Sequence, residues 1–332
     1  MKIQIIAPLL FFIIAFTDAA EKIQFQLGAE AGGYRSEYVD GRFVSRIFGR
    51  FDYQNQFNNN YVQLKARVFP ERYGFENSVN ALKFSGDLTF GKSHETFNWQ
   101  LRLYDKRYFY FSDIFDNISF DVFLLGGQIS KFVSPLTVLR LALDYTYRDL
   151  SEQPRNRLDS FTSALALSHR IQRNSLISFV IGAENYEIQF DSIEPEPARN
   201  NGWRIGPGIS YHHKSVYLFD FSYQFILESS DLSEESSREH QIKILWGRFL
   251  SKKWSLFLYG DYRYFSDKVK DIPADLSYTP VNNENWYYIK LGYDIDIKRE
   301  IYLKTGYSKE DLIYSSRSLS GWQGLLGFNL AL

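Results

Sequence analysis

Five histidines and a scatter of serines are the residues of this 332-residue chain whose types could do nucleophilic or metal chemistry. With no cysteine, thiolate nucleophiles, thiolate zinc sites and disulfide scaffolds are excluded. Ser168 and His169 are adjacent, but a Ser–His dyad needs both groups on one face. Neighbours on a strand point to opposite faces, so that pair fails. His240 follows Glu239 and trails Asp231, the one acid–base grouping expected on an outer rim. If a strand has begun at Glu239, its carboxylate also points away from His240. His212-His213 lacks further spaced ligands for a metal, and His94 sits in a short break. No Gly-rich phosphate loop is present. The expectation is therefore no catalytic residue, no cofactor and no metal.

The chemistry left is that of charge and water. Lys+Arg total 38 and Asp+Glu 39, a net charge of −1, which gives no electrostatic footprint for nucleic acid. A hydrophobic fraction of 45% is too high for a disordered chain. A mean hydropathy of −0.31 is too low for a bundle of membrane helices. Aromatic residues make up 18%, with 24 Tyr and 29 Phe, and ask for a structure in which amphipathic rings are welcome.

The elements that would position these charges are strands. Leu139, Leu141, Leu143, Tyr145 and Tyr147 alternate with Arg140, Ala142, Asp144, Thr146 and Arg148. Tyr217, Phe219, Phe221, Tyr223 and Phe225 alternate with Leu218, Asp220, Ser222 and Gln224. Such period-two segments recur along the chain, one face apolar and the other charged, hydroxylic or glycine. Most exceed the usual ~5–6 residues of a sandwich strand and reach the ~9–11 of a membrane-crossing one.

Tight breaks near 55–60, 92–96, 132–137, 171–175, 212–216, 250–253 and 297–300 alternate with longer connections. The latter lie near 33–41, 69–78, 105–116, 149–159, 190–201, 228–239, 267–284 and 308–319. Strict alternation of short and long connections predicts a transmembrane antiparallel β-barrel of about 16 strands, with 14–18 possible. Rings cluster at strand ends, as two aromatic girdles require: Tyr104, Tyr108, Tyr110, Tyr145, Tyr147, Tyr262, Tyr264, Trp286 and Tyr287 at one rim, Tyr217 and Trp254 at the other.

Met1-Lys2, an apolar stretch over Ile3–Phe16 and small residues around Ala19 have the layout of a secretory signal peptide, assigned to residues 1–20. The stretch is short of the ~20 apolar residues a spanning helix needs. The barrel is assigned to residues 21–332, in the outer membrane.

Over essentially all of that span the chain resembles bacterial outer-membrane β-barrel proteins of the porin type. The segment Trp322–Leu332 alternates apolar residues to the end and looks like the terminal strand that barrel-assembly machinery recognises. It ends in Leu332 where the family usually has an aromatic, with Phe328 four positions earlier. The resemblance implies outer-membrane lipid and lipopolysaccharide as surroundings, small solutes as cargo, and a possible homo-oligomer.

With the apolar face toward lipid, the other face lines a lumen. The expected channel-lining residues are Arg46, Arg50, Lys65, Arg67, Lys83, Asp87, Arg102, Asp121, Arg140, Asp144, Asp220, Asp261, Arg263, Lys290 and Asp294. Asp52, Glu184, Arg204, Lys243, Asp296 and Lys304 share that parity, as do the apolar Phe48, Phe123, Leu125, Leu218, Leu245, Phe257 and Tyr259. Opposed acid and base rows set up a transverse field of the kind that tunes ion selectivity. The early wall is basic, so the expected function is passive diffusion of small hydrophilic solutes with a weak anion preference, led by Arg46, Arg50, Arg67 and Arg102. The alternative is a non-conducting structural or surface-binding barrel, or an export exit pore; a barrel hydrolase is the third reading. Asp149–Ser160, Glu228–Glu239 and Ser192–Pro197 read as charged external loops able to hold divalent cations bridging lipopolysaccharide. Asp267–Glu284 is the expected constriction or lid.

Overall fold

In the computed structural model, the alternating segments become sixteen antiparallel strands closed into one barrel. In chain order they are β1 (Ala20–Ser36), β2 (Phe43–Phe57), β3 (Asn60–Tyr73), β4 (Val79–Ser93), β5 (Phe97–Ser112), β6 (Ile118–Ser134), β7 (Thr137–Leu150) and β8 (Asn156–Gln172). There follow β9 (Ser175–Phe190), β10 (Ala198–Lys214), β11 (Tyr217–Ser230), β12 (Ser233–Phe249), β13 (Trp254–Asp267), β14 (Glu284–Asp294), β15 (Arg299–Asp311) and β16 (Ser318–Ala331). The structure describes residues 20–36, 43–74, 78–112, 117–150, 156–191, 198–267, 276, 278, 284–311 and 318–332. The leader assigned to 1–20 lies outside the described residues except for Ala20, which opens β1. Each strand pairs with its sequence neighbours, and β1 closes on β16 from Gln26 opposite Ala331 to Ser36 opposite Gly321.

Closure leaves no free strand edge to meet lipid. The outward face carries the aliphatic half of each alternation. Leu139, Leu141 and Leu143 on β7, Leu165 and Leu167 on β8 and Ile181 on β9 are all exposed there. Tyr287, Tyr307 and Trp322 form an outward row across β14–β16, with centroids 5.5 and 5.7 Å apart. Trp254 and Tyr293 meet at 5.0 Å near the opposite rim. Two of these rows match the expected girdles, but Tyr104, Tyr108, Tyr110 and Trp286 have the inward parity.

One rim has tight turns. The two-residue turn between Phe57 and Asn60 holds Asn58 and Asn59 at φ of 44° and 67°. Positive φ at both positions is the type I′ geometry whose twist suits a hairpin, and Asn tolerates it better than most side chains. At 295–298, Asp296 accepts hydrogen bonds from the Lys298 and Arg299 amides, both 2.9 Å, and from Arg299 Nε at 2.7 Å. The Arg299 guanidinium holds its carboxyl below the usual range.

The other rim differs from expectation. The stretch 228–239 is strand, not loop: β11 runs to Ser230, β12 starts at Ser233, and Ser230 pairs with Ser233. Asp231 fixes that tip by accepting from the Asn201 amide and Nδ2, each at 2.9 Å. Of Asp149–Ser160, Asp149 and Leu150 end β7 and Asn156–Ser160 open β8, while 151–155 and 192–197 lie outside the described residues. The strands are longer than the lipid band. Seventeen residues, as in β8, at ~3.3 Å each and a ~40° tilt rise roughly 40 Å, against a ~25 Å apolar band.

Candidate functional site

Register settles which expected residues share the interior. In an antiparallel pair, residues directly opposite lie on the same face. Asp52 faces Lys65 and Lys65 faces Asp87; Arg50 faces Arg67; Lys83 faces Tyr108. Following such pairs round the barrel puts Arg46, Arg50, Lys65, Arg67, Lys83, Asp87, Arg102, Arg140, Asp144, Asp220, Asp261, Arg263, Lys290 and Asp294 on the inward face.

Asp121 is the exception. It stands opposite Arg107 and Asp149, on the face that also carries Phe123 and Leu125, exposed outward at 40% and 47%. The physical reason is position along the strand. Asp121 is the fourth residue from the loop-side end of β6, near the edge of the apolar band, where a half-buried outward carboxylate beside Arg107 and Asp149 is tolerated. Phe123 and Leu125 are lipid-facing for the same parity, whereas Phe48, Leu218, Leu245, Phe257 and Tyr259 do project inward. Asp296 belongs to a tight turn rather than the wall.

Two ion networks occupy opposite walls. On the β1–β4 and β15–β16 side, Lys304 Nζ meets Glu30 Oε1 at 2.7 Å. Arg46 Nε meets Glu71 Oε1 at 2.9 Å, and Lys83 Nζ meets Glu71 Oε2 at 3.0 Å. Tyr302 OH donates to Glu30 at 2.8 Å. On the β9–β13 side, Arg204 pairs with Glu184 at 3.0 Å, with Glu228 at 3.3 Å and with Glu239. Arg263 takes the other oxygen of Glu239. Glu239 has no solvent access, and Gln241 Nε2 also donates to it at 2.7 Å, so the buried carboxylate is satisfied by protein groups.

The second network also holds part of the 268–283 connection. Tyr278 OH donates to Glu184 Oε1 at 2.8 Å, and the Arg204 guanidinium lies 4.2 Å from the Tyr278 ring centroid. The ring packs on Tyr186 at 4.7 Å. The Leu276 carbonyl accepts from Asn200 Nδ2 at 2.6 Å, and its side chain joins Leu158, Tyr186 and Ile188 in a buried cluster. Leu276 and Tyr278, the described residues of the connection leaving β13, therefore dock on the inner wall of β8–β10.

Burial then divides the lumen. Inward residues near the loop-side strand ends are fully buried: Val44, Val79, Arg148, Leu158, Ile188, Asn200. Inward residues at mid-height, such as Arg50 and Arg67, and nearer the tight turns, such as Arg140 and Lys243, are exposed. A wide open pore would wet both sets. This one is packed on its loop side and wet on its turn side.

At mid-height, reaching toward the packed loop side, the wall of β3–β7 forms a recess of about 610 Å³ bounded by Lys65, Arg67, Phe69, Tyr104, Lys106 and Tyr108. Asp87 accepts from Arg102 through both oxygens, Nη2 at 2.7 Å. Lys106 Nζ sits 4.1 Å from the Tyr108 ring centroid. Across the lumen Phe257, Tyr259, Trp286 and Tyr288 make an inward aromatic group, Tyr259 and Tyr288 stacked at 4.5 Å.

Sequence reasoning did not single out Glu30, Glu71, Lys106, Glu228, Glu239 or Glu300 for the lumen, and gave Arg148 only as part of the polar face of one alternating segment. All of the six but Glu30 lie in stretches read as connections. Extending the period-two count from Lys65 and Arg67 through Phe69 reaches Glu71, and that signal would have found it.

The histidines hold structural posts. His240 Nδ1 meets Tyr223 OH at 2.8 Å on the outward face among Phe225 and Tyr264, while Glu239 points into the lumen. Ser168 bonds Ser178 inward at 2.8 Å, and His169 bonds Thr137 at 3.0 Å on the other face. His212 meets Asp220, and His213 bonds Ser175 at 2.8 Å. Among the described residues no group of three or more His, Asp or Glu could hold a metal.

No family model matches the chain, and no curated protein matches it. Solved structures do. CdiB from Acinetobacter baumannii superposes with a TM-score of 0.53 at 11% identity, over 94% of this chain. This chain spans 60% of the length of that one. OccAB4 from Acinetobacter baumannii gives 0.44 at 10% identity, over 95% of this chain and 99% of its own. The copper transporter OprC gives 0.46 at 8%, over 96% and 81%. At these identities the likeness is one of fold: the chain has the architecture of an outer-membrane β-barrel protein.

Proposed function

We propose that the barrel is an outer-membrane channel that passes small hydrophilic solutes by diffusion, prefers anions, and has its loop-side end shut in the state described here. The observation that carries this reading is the pair Arg50 and Arg67, directly opposite each other and exposed to the wet half of the lumen. Neither makes an ion pair among the described residues. Two unneutralised guanidiniums on one wall favour anions over cations by simple field effects. Anion flow requires displacement of the packed loop-side section, and the docked Leu276 and Tyr278 mark the element that would move.

The packed section also favours a second reading, a barrel that never conducts. Reversal potentials in a salt gradient across a planar bilayer separate the two. Anion-shifted reversal supports the channel; cation preference overturns the selectivity, and silence under all voltages overturns conduction. Lipid and lipopolysaccharide contact through the outward girdles, and assembly through β16, belong to the same proposal.

A further inference from the structure

The recess beside Arg67 has more in it than a diffusing ion needs. Five cations line it, Lys65, Arg67, Lys83, Arg102 and Lys106, against the carboxylates Glu71 and Asp87. Both carboxylates are engaged, Glu71 by Arg46 and Lys83, Asp87 by Arg102. Lys65 faces Asp52 and Asp87 in register but makes no ion pair among the described residues. Arg67 faces another guanidinium, Arg50. Like charges directly opposite on a sheet repel, and an anion between them turns that cost into two charge-assisted hydrogen bonds.

The rest of the lining mixes rings with aliphatic and hydroxyl side chains, Ser85 and Thr146 among them. Phe69, Tyr104, Tyr108 and Leu124 line the recess. Phe48 and Phe69 stack at 6.0 Å, with the Arg50 guanidinium 5.3 and 5.9 Å from their centroids. The guanidinium pair therefore sits at the lip of an aromatic-walled space. At about 610 Å³ it falls in the size class of small-molecule sites, far larger than a halide needs.

We propose that this recess binds organic anions in which one carboxylate or phosphate is joined to a flat ring, the charged head between Arg50 and Arg67 and the ring against Phe69, Tyr104 and Tyr108. The inference deepens the channel reading and rests on it for access, but its test reads binding rather than current.

The purified full barrel in detergent is titrated by calorimetry with benzoate, phenyl phosphate, acetate, inorganic phosphate and benzyl alcohol. Benzoate or phenyl phosphate should bind at least about tenfold more tightly than the matching ringless anion and than benzyl alcohol. Whichever of the two binds more tightly identifies the head group. Arg50→Gln with Arg67→Gln should weaken benzoate by about tenfold or more, and Phe69→Ala should narrow the gap between benzoate and acetate. Arg67→Lys, which keeps the charge but loses the fork, should lie between. Heat-dependent gel mobility confirms that each variant is folded. Equal affinity for benzoate and acetate, unchanged binding by the folded double variant, or no benzoate binding at all overturns the site. Binding without anion current overturns the channel reading alone; anion current without binding overturns this site alone.

Discussion

Removing the Tyr278 side chain should unlatch the loop-side end. Three contacts hold it: the 2.8 Å hydrogen bond to the Glu184 carboxylate, the Arg204 guanidinium 4.2 Å from the ring centroid, and the Tyr186 ring at 4.7 Å. A hydrogen bond to a charged group contributes ~1.5–3 kcal/mol, a desolvated cation–π contact up to ~2, and an aromatic pair ~0.5–1.5. Together they set the latch at roughly 3–6 kcal/mol, so Tyr278→Ala should raise the ratio of open to shut barrels by ~10²–10⁴. Tyr278→Phe keeps both ring contacts and loses the hydrogen bond, which predicts roughly 10–10². The assay is single-channel recording in planar bilayers, read as the fraction of time open. The parent should open rarely, Tyr278→Phe more often and Tyr278→Ala most. An unchanged open fraction in Tyr278→Ala, or the reverse order of the two variants, refutes the latch.

Sidedness is tested by neighbours on β7. Leu141→Arg places a charge on the lipid face and should cost ~2–4 kcal/mol, read as a lower denaturant midpoint for the folded barrel. Ala142→Arg points inward and should leave that midpoint near the parent's; equal losses would contradict the assigned faces. At Gly206 an added Cβ would lie 1.7 Å from the Phe225 carbonyl oxygen, so Gly206→Ala should impair folding, seen as loss of the heat-modifiable gel band. Asn58→Val forces a β-branched residue to a φ of 44° and should cost ~1–2 kcal/mol in the same unfolding assay.

The barrel was legible in the sequence because β7 and β11 alternate without interruption, and a period of two has one geometric meaning. The tight turns were legible because polar pairs such as Asn58-Asn59 break the pattern sharply. The loop side was not, because Ser229–Arg238 is polar on both faces. Hydropathy marks a strand only where one face meets lipid or a core, and β11 and β12 continue past the lipid band on backbone pairing and polar contacts such as Arg204 with Glu228 and Glu239. The same blindness hid Glu71, Glu228 and Glu239, which the extended strands carry into the lumen. It also misplaced Asp121, whose charge implied the inside although it faces outward near the edge of the band. Tyr104 and Tyr108 were read as girdle rings from their closeness to a strand end; register parity turns them inward, and the strand's extension to Ser112 leaves them below the rim. The docking of Tyr278 joins residues 94 positions apart from Glu184, and nothing periodic encodes it.

The lumen is packed at one end and wet at the other, and that asymmetry has a consequence for traffic. A site reached from one side only comes to equilibrium with that side. On the proposed reading, an occupant at Arg50 and Arg67 would report the turn-side pool whatever the supply beyond the latch. As that pool rises, the seat stays filled and a newcomer from the loop side finds it taken. Net entry then slows by occupancy alone, a self-limiting inlet that needs no separate sensor.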